Sequence, residues 1–311
     1  MPRLAFVFPG QGAQYSGMGQ ELVVNYPEAA AVFDQADQIS PYPISKLCFA
    51  GPAERLNSTE FAQPALLTAS LAILAVVREQ GLKPDLVAGL SLGEYTALVA
   101  AGSISFAEAL PLVQERGRLM QEAVPRGKGA MAAVLGLEYE LVADVCRQAG
   151  GIVDVANLNC PGQLVISGER EAVTRAADIL REKGGRVRLL DVSVPSHSRL
   201  MTCAAHKLQG HLEKMNWKTA TPPVISNVTA RTYRPEETGG LLVQQLYSPV
   251  QWEATIRYLA EKVDCFIEIG PGTTLSGLIK RIVPGRLLGN VQDMKSLQKI
   301  IREVESICMK G

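Results

Sequence analysis

The sequence predicts an α/β protein with a mostly parallel sheet, interrupted by a ferredoxin-like insert. Three observations carry that expectation. Short apolar runs alternate with helical patterns on both sides of residues 127–194. Inside that stretch the order is β-α-β-β-α-β, the order of a ferredoxin-like unit. Finally, Gly89-Leu90-Ser91-Leu92-Gly93 stands between an apolar run and a helical pattern, as a G-x-S-x-G elbow requires. The expected division is a large α/β part, residues 1–126 and 195–311, and a small ferredoxin-like part, residues 127–194. A chain of 311 residues has room for a large domain carrying a smaller one.

The elements follow in order. Residues 4–8 (LAFVF) read as a buried strand ended by Pro9-Gly10. The loop to Gly19 holds four glycines and two glutamines. Helical patterns cover 20–39 and 63–80. Residues 85–89 form a second short strand, and 94–101 and 106–123 read as helices. In the insert, 130–135, 152–158, 163–167 and 186–192 are strands, with helices over 138–149 and 169–183. The turn Asn159-Cys160-Pro161-Gly162 joins two of these strands, and Gly184-Gly185 closes the second helix. Beyond Pro195 a helix runs to about residue 215. Strands are expected at 223–228, 265–270 and 287–291, and helices at 252–262, 273–283 and 294–307.

Composition narrows the function classes. Apolar residues make up 47% and charged residues 20%, which excludes a disordered chain. Thirty-one basic and 31 acidic residues cancel, so bulk charge does not hold nucleic acid or an anionic membrane. Six scattered cysteines include no C-x-x-C and read as core residues of a reducing compartment. No basic-then-apolar leader pattern is seen. Apolar stretches such as 65–77 carry Thr68 and Ser70 and read as too short for a bilayer. A soluble cytoplasmic protein is expected.

Ser91 has two readings. In an elbow its hydroxyl is lifted above the sheet at a helix N-terminus, where the dipole favours a developing anion. Otherwise it is a serine cap on an ordinary strand-to-helix turn. A nucleophilic serine needs a base, and only three histidines exist. His206 falls opposite the apolar face of its helix and reads as solvated. His211 falls on that face and reads as packed. His197, in Val194-Pro195-Ser196-His197-Ser198, sits at an element end and is the best general base. An oxyanion hole fits the amides of Leu92 and, from the loop after the first strand, Gln11. That loop is no nucleotide site: the dinucleotide fingerprint would need glycine at Tyr15. Gly127-Lys128 is followed by Gly129, which also fails the Walker pattern.

Eight segments, in order, resemble the malonyl-CoA:acyl carrier protein transacylase family, the acyltransferases of type II fatty acid synthesis and of polyketide synthases. They are FVFPGQGAQYSGMG, FAQPALLTAS, GLSLGEYTALVAAG, ERGRLMQEAVPRGKGAM, NLNCPGQLVISG, VSVPSHSRLM, YSPVQWEATI and EIGPGTTLSGLIKR. The resemblance implies an α/β-hydrolase-like large subdomain with a ferredoxin-like small one. It implies acylation of Ser91, His197 as base, and Gln11 and Leu92 as oxyanion amides. Arg116 would pair with the malonyl carboxylate, and the main-chain carbonyl of Gln251 would orient the histidine. The family most often has histidine where this chain has Leu90, and Ser196 lies where branches separate malonyl from methylmalonyl. Both bear on acyl preference.

The implied chemistry is ping-pong transfer of malonyl from malonyl-CoA to the thiol of acyl carrier protein, by a monomer that needs no metal or cofactor. Lys280, Arg281 and Arg286 are either a basic patch for the acidic carrier or a solvated helix face. A thioester hydrolase and a trans-acting polyketide synthase acyltransferase share the elbow. A dead-site scaffold would have lost Ser91, His197 or Arg116, and all three are present.

Overall fold

A computed structural model of the chain describes residues 2–192 and 194–310; Ser193 of the VSVPSHSRLM segment lies outside them. Its centre is β1 (Leu4–Phe8), buried along its whole length. β1 pairs in parallel with β2 (Leu86–Gly89), which pairs with the two-residue β7 (Val224–Ile225). On its other side β1 pairs with β8 (Cys265–Ile269), and β8 with β9 (Leu287–Val291), again in parallel. Strand alternation sorts β1: Leu4, Phe6 and Phe8 enter one core, Ala5 and Val7 a second. The first core takes the helices between β1 and β3, together with α10 (Thr202–Leu212), α11 (Pro235–Gln245) and α14 (Met294–Lys310). The second takes α12 (Trp252–Ala260) and α13 (Thr274–Ile282).

The second sheet is antiparallel, in the order β4-β5-β3-β6. Its strands are β3 (Gly129–Leu135), β4 (Val153–Cys160), β5 (Gln163–Glu169) and β6 (Arg186–Leu189). Helices α8 (Tyr139–Gln148) and α9 (Arg170–Glu182) bury one face of it. The element order and the sheet order are those of the expected ferredoxin-like unit. β4 is tied to the segment just before α12, where Leu158 N–H donates to Val250 O at 3.0 Å and Val250 N–H to Ala156 O at 2.9 Å.

Several boundaries differ from the sequence reading. Residues 20–39 form two helices, α1 (Gln20–Asn25) and α2 (Pro27–Ile39). Tyr26 precedes proline and is extended (φ −133°, ψ 115°), which breaks the run. Two short helices, α3 (Ile44–Ala50) and α4 (Ala53–Asn57), precede α5 (Thr59–Glu79). At 21 residues α5 is long and apolar enough to cross a bilayer, contrary to expectation, but Leu66, Leu67, Ile73 and Val77 are fully buried in the core. Helices α6 (Leu92–Ala100) and α7 (Phe106–Ala123) follow, the latter with the expected bounds. The helix expected from 195 begins only as a 3₁₀ turn at Arg199–Met201, so His197 stands in the loop before it.

Candidate active site

The elbow is built by contacts that exclude side chains. A Cβ on Gly89 would lie 1.9 Å from Gly93 C, and one on Gly93 2.1 Å from Phe8 O. One on Gly10 would lie 2.4 Å from Leu90 O, so the loop after β1 lies directly on the turn. Ser91 adopts φ 54°, ψ −107°, a backbone region that costs a non-glycine residue about 1–3 kcal/mol. Polar contacts hold it there. Its N–H donates to Asn227 Oδ1 at 2.6 Å, and its carbonyl accepts from Gln245 Nε2 at 2.9 Å. The hydroxyl makes no cap bond to α6, so the serine-cap reading does not hold.

The hydroxyl meets His197 instead. Nε2 lies 2.8 Å from Ser91 Oγ, and Nδ1 lies 2.7 Å from the main-chain carbonyl of Gln245. A carbonyl only accepts, so Nδ1 carries the proton and Nε2 is left free to take one from Ser91. His197 is 3% exposed and has φ 59°. Burial, then the Arg116 charge, holds its imidazole down at about 4, against the pull of the Gln245 carbonyl. It is therefore uncharged near neutrality, with Nε2 unprotonated and facing the Ser91 hydroxyl.

The carbonyl expected at Gln251 is thus that of Gln245. Gln251 stands just before α12, where its carbonyl accepts the Thr255 N–H at 2.9 Å and is used by the helix. The other histidines are remote in role. His206 is exposed, as expected. His211 is exposed and 3.6 Å from Glu115, which corrects the expectation that it is packed.

Arg116 lies on α7 and is 1% exposed. Nη1 donates to Gln63 Oε1 at 2.5 Å, and Nη2 to Gln245 Oε1 at 2.9 Å and to Ser91 Oγ at 3.3 Å. The guanidinium also stands 5.3 Å from the Tyr95 ring centroid. Among the described residues no carboxylate lies within ion-pair distance of it, and its Nε has no hydrogen-bond partner. Burial lowers its pKa from the ordinary value. Glu115 and Glu122 are bound by Arg118, not by Arg116.

Leu92 opens α6, so its N–H has no partner within the helix. Gln11 follows Gly10 beside the elbow and donates through Nε2 to Thr59 Oγ1 at 3.0 Å. Leu92 directly follows Ser91, and Gln11 lies in the loop whose Gly10 packs on the elbow. Leu90 and Ser196 are half-buried near the elbow and the base. The basic residues separate. Arg286 is tied to the carbonyls of Ala260, Val263 and Asp264, and Arg281 to Pro161 O and Gln163 Oε1. Among the described residues, only Lys280 of the three is exposed with no hydrogen bond or ion pair. Among the described residues no cluster of histidine, cysteine or acidic residues fits a metal ion.

Sequence reasoning missed five polar residues that build this site: Gln63, Glu94, Asn227, Tyr233 and Gln245. Glu94 is fully buried and accepts from the Asn227 N–H at 2.8 Å, Tyr233 Oη at 2.5 Å and, by a short bond, Gln245 Nε2. Burial pushes its carboxyl up to about 7, against these donors and Arg116. Gln63 and Glu94 lie inside two of the quoted segments, where a polar residue amid apolar neighbours was the available signal. Gln245 ends α11, a helix whose Pro235 start, with Glu236 and Glu237 in the first turn, marks an N-terminus.

Comparison with known proteins bears on the whole chain. Residues 5–308 match the acyl transferase domain family. The malonyl CoA-acyl carrier protein transacylase of Bacillus subtilis (strain 168) is 49% identical, over 91% of each chain. That of Escherichia coli (strain K12) is 47% identical, over 91% of this chain and 94% of its own. The crystal structure of the transacylase of that name from Clostridium perfringens superposes with a TM-score of 0.95 at 41% identity, covering 99% of this chain and 98% of that one. A malonyl-transacylase in complex with a type II polyketide synthase acyl-carrier protein gives 0.93 at 45% identity, covering 96% and 99%. This chain belongs to the acyl transferase domain family, in the branch of the malonyl CoA-acyl carrier protein transacylases.

Proposed function

We propose that the chain is a malonyl-CoA:acyl carrier protein S-malonyltransferase of the cytoplasm, working through a malonyl-Ser91 intermediate. The observation that carries this reading is Arg116. A buried guanidinium held only by neutral oxygens, 3.3 Å from the nucleophile, is short of an anion. Malonyl supplies one two carbons from its reacting carbonyl.

In the first half-reaction His197 Nε2 takes the Ser91 proton as Oγ attacks the malonyl thioester. The amides of Leu92 and Gln11 receive the oxyanion. The imidazolium then returns the proton to the departing CoA sulfur. In the second half the carrier's phosphopantetheine thiol gives its proton to His197, attacks the ester, and Ser91 leaves with that proton. The Gln245 carbonyl steadies the Nδ1 proton as a protease aspartate would. A thioester is a better acyl donor than an amide, so this weaker partner suffices.

The test is intact mass measurement after brief exposure to malonyl-CoA, with and without holo carrier protein. We expect one malonyl adduct, absent in Ser91→Ala and discharged onto the carrier rather than to water. An adduct that persists in Ser91→Ala refutes the nucleophile. Release as free malonate in the presence of carrier favours a thioester hydrolase.

A further inference from the structure

We propose that Glu94 is a positioning residue for malonyl selectivity: through the side-chain amide of Gln245 it fixes how Arg116 is presented to the substrate carboxylate. The proposal rests on the malonyl reading above. Glu94 has no part in the acyl transfer, yet it is fully buried beneath the elbow.

All three of its partners, the Asn227 N–H, the Tyr233 hydroxyl and Gln245 Nε2, donate to it. The position is therefore built for a group that only accepts, which Glu94 is in its ionised form, the form that prevails above about 7. This sorts Gln245. An amide side chain has a donor end and an acceptor end of almost equal shape, and only its neighbours decide which faces where. Here the donor end is claimed twice, by Glu94 and by the Ser91 carbonyl at 2.9 Å. The acceptor end is thereby turned to Arg116 Nη2 at 2.9 Å. With Gln63 Oε1 on Nη1, two fixed acceptors set the guanidinium plane. Bidentate recognition of a carboxylate depends on that plane.

Glu94→Gln keeps the shape and replaces one acceptor with a donor. The Asn227 N–H demands the new amide's oxygen, so its NH2 faces Gln245 Nε2, donor against donor. Gln245 relieves this by turning over. Its NH2 then meets Arg116, again donor against donor, and the Ser91 carbonyl loses its partner.

The experiment measures kcat/KM for Ser91 acylation by malonyl-CoA and by acetyl-CoA in the full chain. The variants are Glu94→Gln, Glu94→Asp and Gln245→Met, each checked for folding by circular dichroism. A charged-group hydrogen bond is at stake, so the malonyl-to-acetyl ratio is expected to fall about tenfold or more in Glu94→Gln. Most of that fall should lie in the malonyl KM. Glu94→Asp, which still only accepts, should keep the ratio within about threefold. Gln245→Met removes the acceptor on Arg116 and keeps the main-chain carbonyl on His197, so its ratio should also fall. It decides the matter should Glu94→Gln not fold. A purely structural role lowers both substrates together, so an unmoved ratio in either folded variant overturns the proposal. Wild-type protein that takes no malonyl overturns the proposed function and this inference with it. Wild-type preference for malonyl with unmoved variants overturns this inference alone.

Discussion

On the function proposed above, replacing Arg116 with alanine removes the group that would distinguish malonyl from acetyl. A guanidinium can pair with a carboxylate through two charge-assisted hydrogen bonds, each worth about 1.5–3 kcal/mol. Their loss amounts to about 3–6 kcal/mol, less whatever water regains in the vacated space, so malonyl acylation should fall roughly a hundredfold to ten-thousandfold. Acetyl lacks the anion, and with wild-type enzyme it leaves a buried charge unmatched. In Arg116→Ala that penalty disappears, and acetyl acylation should hold or rise. The fold should survive. Gln63 and Gln245 each lose a donor, at about 1–3 kcal/mol apiece, but the burial cost of a cation without a contacting carboxylate is also removed. Arg116→Lys restores a point charge without the paired N–H geometry and should recover malonyl acylation only in part. The assay is the ratio of specificity constants for malonyl-CoA and acetyl-CoA, measured by release of CoA with carrier or a thiol acceptor present. An unchanged ratio in folded Arg116→Ala would show that the carboxylate is recognised elsewhere.

Three further outcomes are expected. Because His197 is held down at about 4 while an unfolded histidine titrates near 6.5, the folded protein stays neutral there as the unfolded chain takes up a proton. Its contribution to stability therefore falls as pH drops from about 6.5 towards 4, and kcat/KM for acetyl-CoA, which does not use the Arg116 presentation that Glu94 sets, should keep a flat acid side until near pH 4; an acid limb at 6.5 with acetyl-CoA refutes the buried neutral base. Gly89→Ala places a methyl 1.9 Å from the Gly93 main chain, which nothing flexible can relieve, so acylation should be lost with the elbow; near-normal acylation, followed by intact mass, refutes that packing. Lys280→Glu should raise the KM for carrier protein in a salt-dependent way and leave that for malonyl-CoA, whereas Arg286→Ala should lower Tm, since that guanidinium caps main-chain carbonyls. Steady-state kinetics at two salt concentrations and a thermal melt separate these roles.

Local chemistry was legible where it is written in adjacent residues. The glycines around Ser91, the β-α-β-β-α-β order and the bounds of α7 all follow from spacing and capping, and the structure keeps them. What was not legible depends on approach from afar. Gln245 lies 154 residues from Ser91 and 48 from His197, and no periodicity connects those positions. The family resemblance pointed to Gln251, six residues away, whose carbonyl serves its own helix. Arg116 lies on an amphipathic helix with acidic neighbours at 115 and 122, a spacing that also fits a surface ion pair; in the fold Arg118 holds both acids. Burial, a property of the packed molecule, separates the two arginines.

Ser91 and His197 share a trait that reaches beyond catalysis: both hold positive φ, at 54° and 59°. Each residue is kept in a conformation that glycine would adopt more readily, at about 1–3 kcal/mol each. Selection for heat resistance alone would therefore run against the site. Glycine at position 91 relaxes the backbone while removing the nucleophile, so an inactive lineage can gain stability there, whereas at 197 it also empties a buried site and leaves the Gln245 carbonyl without its partner. Only selection that demands turnover keeps the serine in place, and stabilisation efforts should leave positions 91 and 197 alone and seek their gains at loops and caps far from the elbow.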